Sequence, residues 1–112
     1  MKTFIKDNTW QDRAYHDLGW GNGYVIIPEG NPLHRMDYAM IDVEVHGCLT
    51  FSALVDEELA TSWGIPAECI GGWMVGFDTA HCNDTLERWP KEAVQKETDL
   101  LLTRLTELAA KE

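Results

Sequence analysis

Residues 73–78 read Trp-Met-Val-Gly-Phe-Asp, and their pattern decides the fold class. Trp73, Val75 and Phe77 recur at every second position, as side chains do on one face of a β-strand. Asp78 follows directly after the last apolar residue. The stretch therefore predicts a strand with one apolar face and a carboxylate at its end.

Three other stretches predict strands that accompany it. Residues 24–27 are all β-branched or aromatic, which favours a strand. Residues 40–46 alternate most strictly between apolar and polar side chains, and a tight turn at residues 47–48 would pair them with residues 49–53. The chain thus predicts a small, mainly antiparallel sheet in which His46 also lies at a strand end.

The C-terminal residues predict an amphipathic helix over residues 89–111. Pro90 suits the first helical turn, and apolar or neutral residues recur at spacings of four and three. These positions are Val94, Thr98, Leu101, Leu105 and Leu108. Because the pattern covers fewer than three clean heptads, it favours a helix packed on the sheet over a coiled coil.

The whole chain of 112 residues predicts one α+β domain, covering residues 1–112. Splitting it would leave two pieces too small to bury a core. Residues 23–88 would hold the sheet and its loops. Residues 56–72 fit best as an exposed acidic loop punctuated by glycine and proline, in which residues 56–60 could form one helical turn. Residues 1–22 are only weakly periodic and predict an irregular N-terminal arm.

The net charge of −10 is concentrated in the middle of the chain. Residues 36–89 hold one basic residue, Arg88, against ten acidic residues, whereas both ends are nearly neutral. The ten are Asp37, Asp42, Glu44, Asp56, Glu57, Glu58, Glu68, Asp78, Asp84 and Glu87. Such a field repels nucleic acid and attracts cations or basic protein surfaces, so we expect no direct binding of DNA or RNA. A role in solubility alone is the alternative.

Localisation follows from what the sequence lacks. No apolar run approaches the roughly 18 residues that a membrane span needs, and the first residues show no signal-peptide pattern. Cys48, Cys69 and Cys82 form no Cys-x-x-Cys motif, which suits a reducing compartment. We expect a cytoplasmic protein with free thiols and no membrane contact.

Histidines accompany carboxylates at the predicted loops and strand ends. His34 follows the loop that ends at Pro32, His46 ends a predicted strand, and His81 stands three residues after Asp78. Imidazole and carboxylate ligands suit zinc and similar divalent metals. If these loops converge at one rim of the sheet, His34, His46, Asp78 and His81 form a four-ligand site for zinc or another divalent metal.

Other residues near the predicted site have more than one interpretation. Asp42 and Asp84 are candidates to accept the remaining imidazole N–H groups and so fix the rings. Strand-face exposure of Asp42 and helix capping by Asp84 are the alternatives. Cys48 and Cys82 lie close to histidines in the sequence, so ligation of zinc by sulfur is also open.

Four motifs are notable in the chain: Asn31-Pro32-Leu33-His34, Ile41-Asp42-Val43-Glu44-Val45-His46-Gly47, Leu49-Thr50-Phe51-Ser52 and Gly76-Phe77-Asp78-Thr79-Ala80-His81. Together they resemble a family of short phage, prophage and bacterial proteins, and the likeness covers residues 19–105. In that family a His often stands at the position of Asn31, a Gly at Cys48 and an aromatic residue at Cys82. These differences weaken a metal-binding role for both cysteines.

The resemblance also has implications for the site and the function. His34, His46, Asp78 and His81 look like the polar cluster of that family, which supports the metal site. Small acidic phage proteins are often inhibitors of host defence, and this chain looks like a metal-containing anti-CRISPR protein that binds a type II effector nuclease. It would then be a viral protein acting in the host cytoplasm.

The leading hypothesis is therefore a small inhibitor with a structural metal. Its acidic middle would bind a basic surface of a nucleic-acid-handling protein and block DNA loading. The expected contact residues are Asp56, Glu57, Glu58, Glu68 and an exposed Trp63. The alternatives are a metal-dependent hydrolase of a small nucleotide or ester, and a binder that sequesters a defence signalling nucleotide. Whether the protein is an enzyme stays open, because no motif for a catalytic base is recognisable.

Overall fold

The computed structural model describes residues 1–8 and 18–111. These residues form a four-stranded antiparallel sheet with two α-helices and two short 3-10 helices, which confirms the α+β class. The strands are β1 (Lys2–Asp7), β2 (Gly21–Ile27), β3 (Phe51–Leu54) and β4 (Trp73–Phe77). The α-helices are α1 (Glu57–Trp63) and α2 (Lys91–Ala109), and the 3-10 helices cover Tyr38–Met40 and Ala67–Cys69.

The two central strands, β2 and β4, lie side by side in the order β1-β2-β4-β3. Val25 pairs with Val75 in this ladder, and both are fully buried. The expected apolar face of β4 is present, but Met74 on the opposite face is fully buried too. Both faces of the sheet are therefore covered.

Helix α2 covers one face of the sheet and α1 covers the other. The expected spacing of α2 is confirmed, because Val94, Thr98, Leu101 and Leu105 are all buried. The first face contributes Val25, Ile27, Val75 and Phe77 to the core beneath α2. The second contributes Tyr24, Ile26 and Met74, which pack with Val55, Ala60 and Ile65. Neither described α-helix is long and apolar enough to cross a membrane.

The segment predicted as an exposed acidic loop contains α1 instead. The residues that begin and end this helix lie within the segment itself. The side chain of Asp56 accepts a hydrogen bond from the backbone N–H of Leu59 at 2.7 Å, as an N-cap residue does. Glu57 and Glu58 occupy the first turn, where the helix dipole favours negative charge. Gly64 ends the helix with a φ of 72°. The loop prediction is wrong because these capping residues outweigh the scattered glycines and prolines.

The predicted strand over residues 40–46 and its hairpin are also wrong. β3 pairs with β4, and residues 41–45 have no regular secondary structure. The alternation still reports burial correctly, since Ile41 and Val45 belong to the core beneath α2.

The backbone of this segment bonds to side chains of α2. The N–H of His46 donates to Oε2 of Glu97 at 2.8 Å, and Nη1 of Arg104 donates to the carbonyl oxygen of Glu44 at 2.8 Å. Buried or half-buried backbone groups need such partners. Because α2 supplies them, the segment packs on the helix without joining the sheet.

Lys2–Asp7 form β1, so the predicted irregular arm is wrong for these residues. The strand pairs with β2 from Lys2 opposite Ile26 to Asp7 opposite Gly21. Its residues are mostly half-buried rather than alternately buried and exposed, and this explains the weak periodicity. Residues 9–17 of the expected arm lie outside the described residues.

Two neighbouring leucines test the placement of α2. Leu101 is fully buried, whereas Leu100 is 41% exposed. L101A should lower the free energy of unfolding by about 2–5 kcal/mol, because it leaves a cavity in the core. L100A should change it by less than about 0.5 kcal/mol. Urea unfolding followed by tryptophan fluorescence measures both. Equal losses would contradict the described orientation of α2.

Candidate metal centre

Three side chains from two loops meet at one point: His46, His81 and Asp84. Each offers one ligand atom, and these atoms all lie within 4.8 Å of one another. Nε2 of His46 is 2.8 Å from Oδ1 of Asp84, and Nδ1 of His81 is 3.1 Å from Oδ2 of Asp84. Ligand atoms around a tetrahedral zinc, with bonds of about 2.0–2.1 Å, are separated by about 3.3–3.4 Å. The two distances to Asp84 are slightly shorter than that spacing, and the group could hold a metal ion.

Asp84 is the most buried of the three, with its side chain only 4% exposed. Its Oδ2 also accepts a hydrogen bond from the backbone N–H of His81 at 2.9 Å, and its own N–H donates to the carbonyl oxygen of His81 at 3.0 Å. The tight turn over residues 81–84 therefore fixes both ligands relative to each other. A buried carboxylate needs such bonds or a cation beside it.

His46 is held both at its ring and at its backbone. The indole of Trp89, itself partly buried against the core, packs on the imidazole with ring centroids 4.1 Å apart. The backbone N–H of His46 is bonded to Glu97 on α2. The His46 side chain keeps 26% of its surface exposed. This combination orients the ring while leaving one side of the site open to solvent.

Gly47 allows the two histidine loops to approach each other. It has a φ of +66°, and a Cβ built on it would lie 2.4 Å from Cε1 of His81. Any side chain at this position would collide with the imidazole. Residue 47 must therefore be glycine both for its backbone and for its contact with His81.

Asp78, an expected ligand, lies beside the group of three. Its Oδ1 is 3.4 Å from Nδ1 of His81. Its carboxylate also accepts hydrogen bonds from the N–H of Ala80 and from Oγ1 of Thr50, each at 3.0 Å. Asp78 is therefore held within reach of a metal bound to His81.

His34 does not meet the other three expected ligands. Its Nε2 is 2.8 Å from the carbonyl oxygen of Gly71, and its ring lies near that of Trp73. Gly71 precedes β4 whereas Asp78 follows it, so His34 is at the opposite end of that strand. The structure thus brings together His46 and His81, with Asp78 nearby, and leaves His34 apart.

The two aspartates that were expected to orient the histidines differ. Asp42 is exposed and does not belong to the group. Asp84 provides one of the three converging ligand atoms. The signal for a direct role was present in the sequence, because Asp84 follows His81 at the same spacing that separates His81 from Asp78.

The cysteines take no part in the described group. Cys48 and Cys82 are exposed, Cys69 is buried, and all three are free, which confirms the expectation of free thiols. Neither exposed thiol lies close enough to join His46, His81 and Asp84. The candidate ligand atoms of the described group are therefore nitrogen and oxygen.

Two of the four acidic residues expected to contact a partner are engaged within the protein, whereas Glu57 and Glu58 are exposed in the first turn of α1. Asp56 caps α1. Glu68 forms a hydrogen-bonded ion pair with Lys2. This contact lowers the pKa of the Glu68 carboxyl and raises the pKa of the Lys2 ammonium group. The pair is exposed, so it contributes little to stability, but it reduces the negative charge that Glu68 can present.

Trp63 is half-buried, so the expectation that it is exposed is wrong. Its ring stacks on that of Phe51 with centroids 5.8 Å apart and packs against Tyr24. Nζ of Lys6 lies 5.5 Å from the indole centroid. Burial within this aromatic cluster raises the pKa of the Tyr24 phenol. Trp63 thus belongs mainly to the core between α1 and the sheet.

Comparison with protein-family models, curated proteins and solved structures finds no match to this chain.

The contact between Gly47 and His81 can be tested by mutation. G47A should weaken zinc binding by about tenfold or more, because the new methyl group displaces His81. Gly64 has a similar φ of +72°, but a Cβ added there would meet no atom within 4 Å, so G64A is the matched control for backbone strain. Competition with a chromophoric chelator measures the affinity. Equal affinities of G47A and the wild type would contradict the described approach of the two loops.

Proposed function

We propose that this is a zinc-binding protein in which His46, His81 and Asp84 hold the metal. The observation that carries the proposal is the convergence of three ligand atoms within 4.8 Å from two loops that are far apart in the chain. Two imidazoles and one carboxylate form a ligand set that zinc accepts. The acidic middle of the chain adds a field that attracts cations.

The fourth coordination position would be filled by Asp78 or by water. Oδ1 of Asp78 is 3.4 Å from Nδ1 of His81, which matches the separation of two ligand atoms on a tetrahedral zinc. A site closed by a fourth protein ligand is typical of structural zinc.

A structural role fits the loops that carry the ligands. Residues 41–50 and 78–90 contain no strand or α-helix, and the metal would join them directly. A metal bound only by the folded chain adds its binding free energy to folding. This is useful in a chain of 112 residues, whose two core clusters, one on each face of the sheet, are of modest size.

We further propose that the zinc-stabilised protein inhibits a nucleic-acid-handling protein. The support is the net charge of −9 between residues 36 and 89, together with the resemblance to short phage proteins. Acidic surfaces bind basic ones and can occupy the place of nucleic acid. A type II CRISPR effector nuclease is the partner that the resemblance suggests.

A metal-dependent hydrolase is the second candidate. Its support is the exposure of the two histidine side chains, 26% for His46 and 37% for His81, which would let water reach the metal. Metal-bound water is the nucleophile in such enzymes. A surface cavity of about 540 Å³ lies elsewhere, beside Lys2, Ile70 and Gly72, and contains none of the three ligands.

Zinc binding can be tested with single substitutions. H46A, H81A and D84N should each lose the one zinc ion that we expect per chain, whereas H34A should keep it because His34 is bonded elsewhere. Elemental analysis after equilibrium dialysis measures the content. Zinc at a hundred times its Kd should raise the stability of the wild type by about 2.7 kcal/mol. Loss of zinc in H34A, or none bound by the wild type, would contradict the site.

The inhibitor and hydrolase proposals predict different outcomes for the same zinc-loaded protein. The inhibitor should reduce DNA binding by a purified type II effector nuclease in a filter-binding assay and should not turn over a nitrophenyl phosphate ester. Turnover that disappears in D84N would favour the hydrolase. No effect on the nuclease would refute the proposed partner.

A further inference from the structure

An exposed apolar surface lies on the 3-10 turn Tyr38–Met40. Met40 is 73% exposed and Tyr38 is 38% exposed, and the turn has no buried residue. Met40 is the most exposed of the large apolar side chains in the described part of the chain. Tyr and Met are enriched where proteins bind one another, because they bury much area at the centre of an interface.

The turn that carries these side chains is fixed by hydrogen bonds. Oδ2 of Asp37 accepts from the N–H of Ala39 at 3.1 Å. The N–H of Tyr38 donates to Oγ of Ser52 on β3 at 3.2 Å, and that hydroxyl donates to Oδ1 of Asp37 at 3.4 Å. The turn is therefore anchored to the edge strand of the sheet. A surface that is already ordered loses less entropy on binding.

Acidic side chains outnumber basic ones around the turn. Asp37, Asp42 and Glu44 are exposed, whereas Arg35 precedes Asp37 by two positions and the guanidinium group of Arg104 bonds to the carbonyl oxygen of Glu44. A second copy of this chain, with its net charge of −10, would be repelled. A protein segment that combines Lys or Arg with apolar side chains would match both the acidic residues and the apolar anchors.

The surface near α1 is a poorer match for such a segment. Lys2 is paired with Glu68, and Lys6 lies over Trp63. Lys2 thus already offsets the charge of Glu68, and Lys6 covers part of the Trp63 ring, whereas Glu57 and Glu58 are exposed.

We propose that Tyr38 and Met40, together with Asp37, Asp42 and Glu44, form the docking surface for a basic, partly apolar protein segment. The proposal rests on the inhibitor function proposed above and assigns its binding surface. It replaces the surface around α1 that the charge pattern of the sequence suggested.

The test is a two-dimensional NMR titration of the zinc-loaded full chain with two synthetic peptides. The first contains about ten residues, lysines with two leucines, and the second has glutamate in place of each lysine. The lysine peptide should shift the amide signals of residues 37–44 in a saturable way, and the glutamate peptide should not. Absence of saturable binding, or shifts centred on α1, would overturn the proposal.

Matched variants distinguish binding at the docking surface from a nonspecific effect of the net charge. M40S should weaken binding of the lysine peptide by about tenfold, whereas L100S, at another exposed apolar residue, should match the wild type. D42N with E44Q should weaken it, whereas E57Q with E58Q should leave it within about twofold. Equal binding by M40S and the wild type would overturn the proposal. If the peptide binds at the turn but the nuclease is unaffected, the docking surface stands and the inhibitor function fails.

Discussion

The buried carboxylate of Asp84 is the interaction on which the loops of this protein depend. Its side chain is 4% exposed and lies between the imidazoles of His46 and His81. Burial of a charge costs several kcal/mol unless a cation or several hydrogen bonds offset it. The two imidazoles, and the zinc that we propose they bind, provide that compensation. Asp84 thereby links the loops over residues 41–50 and 78–90, which are also joined by the packing of Trp89 on His46 and by the hydrogen bond from Thr50 to Asp78.

The sheet and α2 place the ligands before any metal binds. β4 ends at the buried residue Phe77, and Asp78 is the first residue after the strand. On the other side, Glu97 of α2 holds the backbone of His46. The core and the site are therefore built from the same elements, and packing energy from the core helps to preorganise the ligands.

The sequence predicted β2, β4 and α2 because their apolar residues recur with the period of a strand or a helix. The strand prediction for residues 40–46 was wrong because alternation of apolar and polar residues shows which side chains are buried. It does not show which groups form hydrogen bonds with the backbone. The site was predicted in part. His46 and His81 were predicted because they are histidines close to predicted strand ends. The position of His34 relative to them depends on the strand order, which local sequence patterns do not specify.

X-ray absorption at the zinc edge is the sharpest test of the proposed site, because it identifies the atoms bound to the metal. We expect a first shell of nitrogen and oxygen at about 2.0–2.2 Å, with the outer scattering of two imidazoles. A sulfur shell at about 2.3 Å would mean that Cys48 or Cys82 binds the metal. That result, or scattering from a single imidazole, would contradict the site of His46, His81 and Asp84.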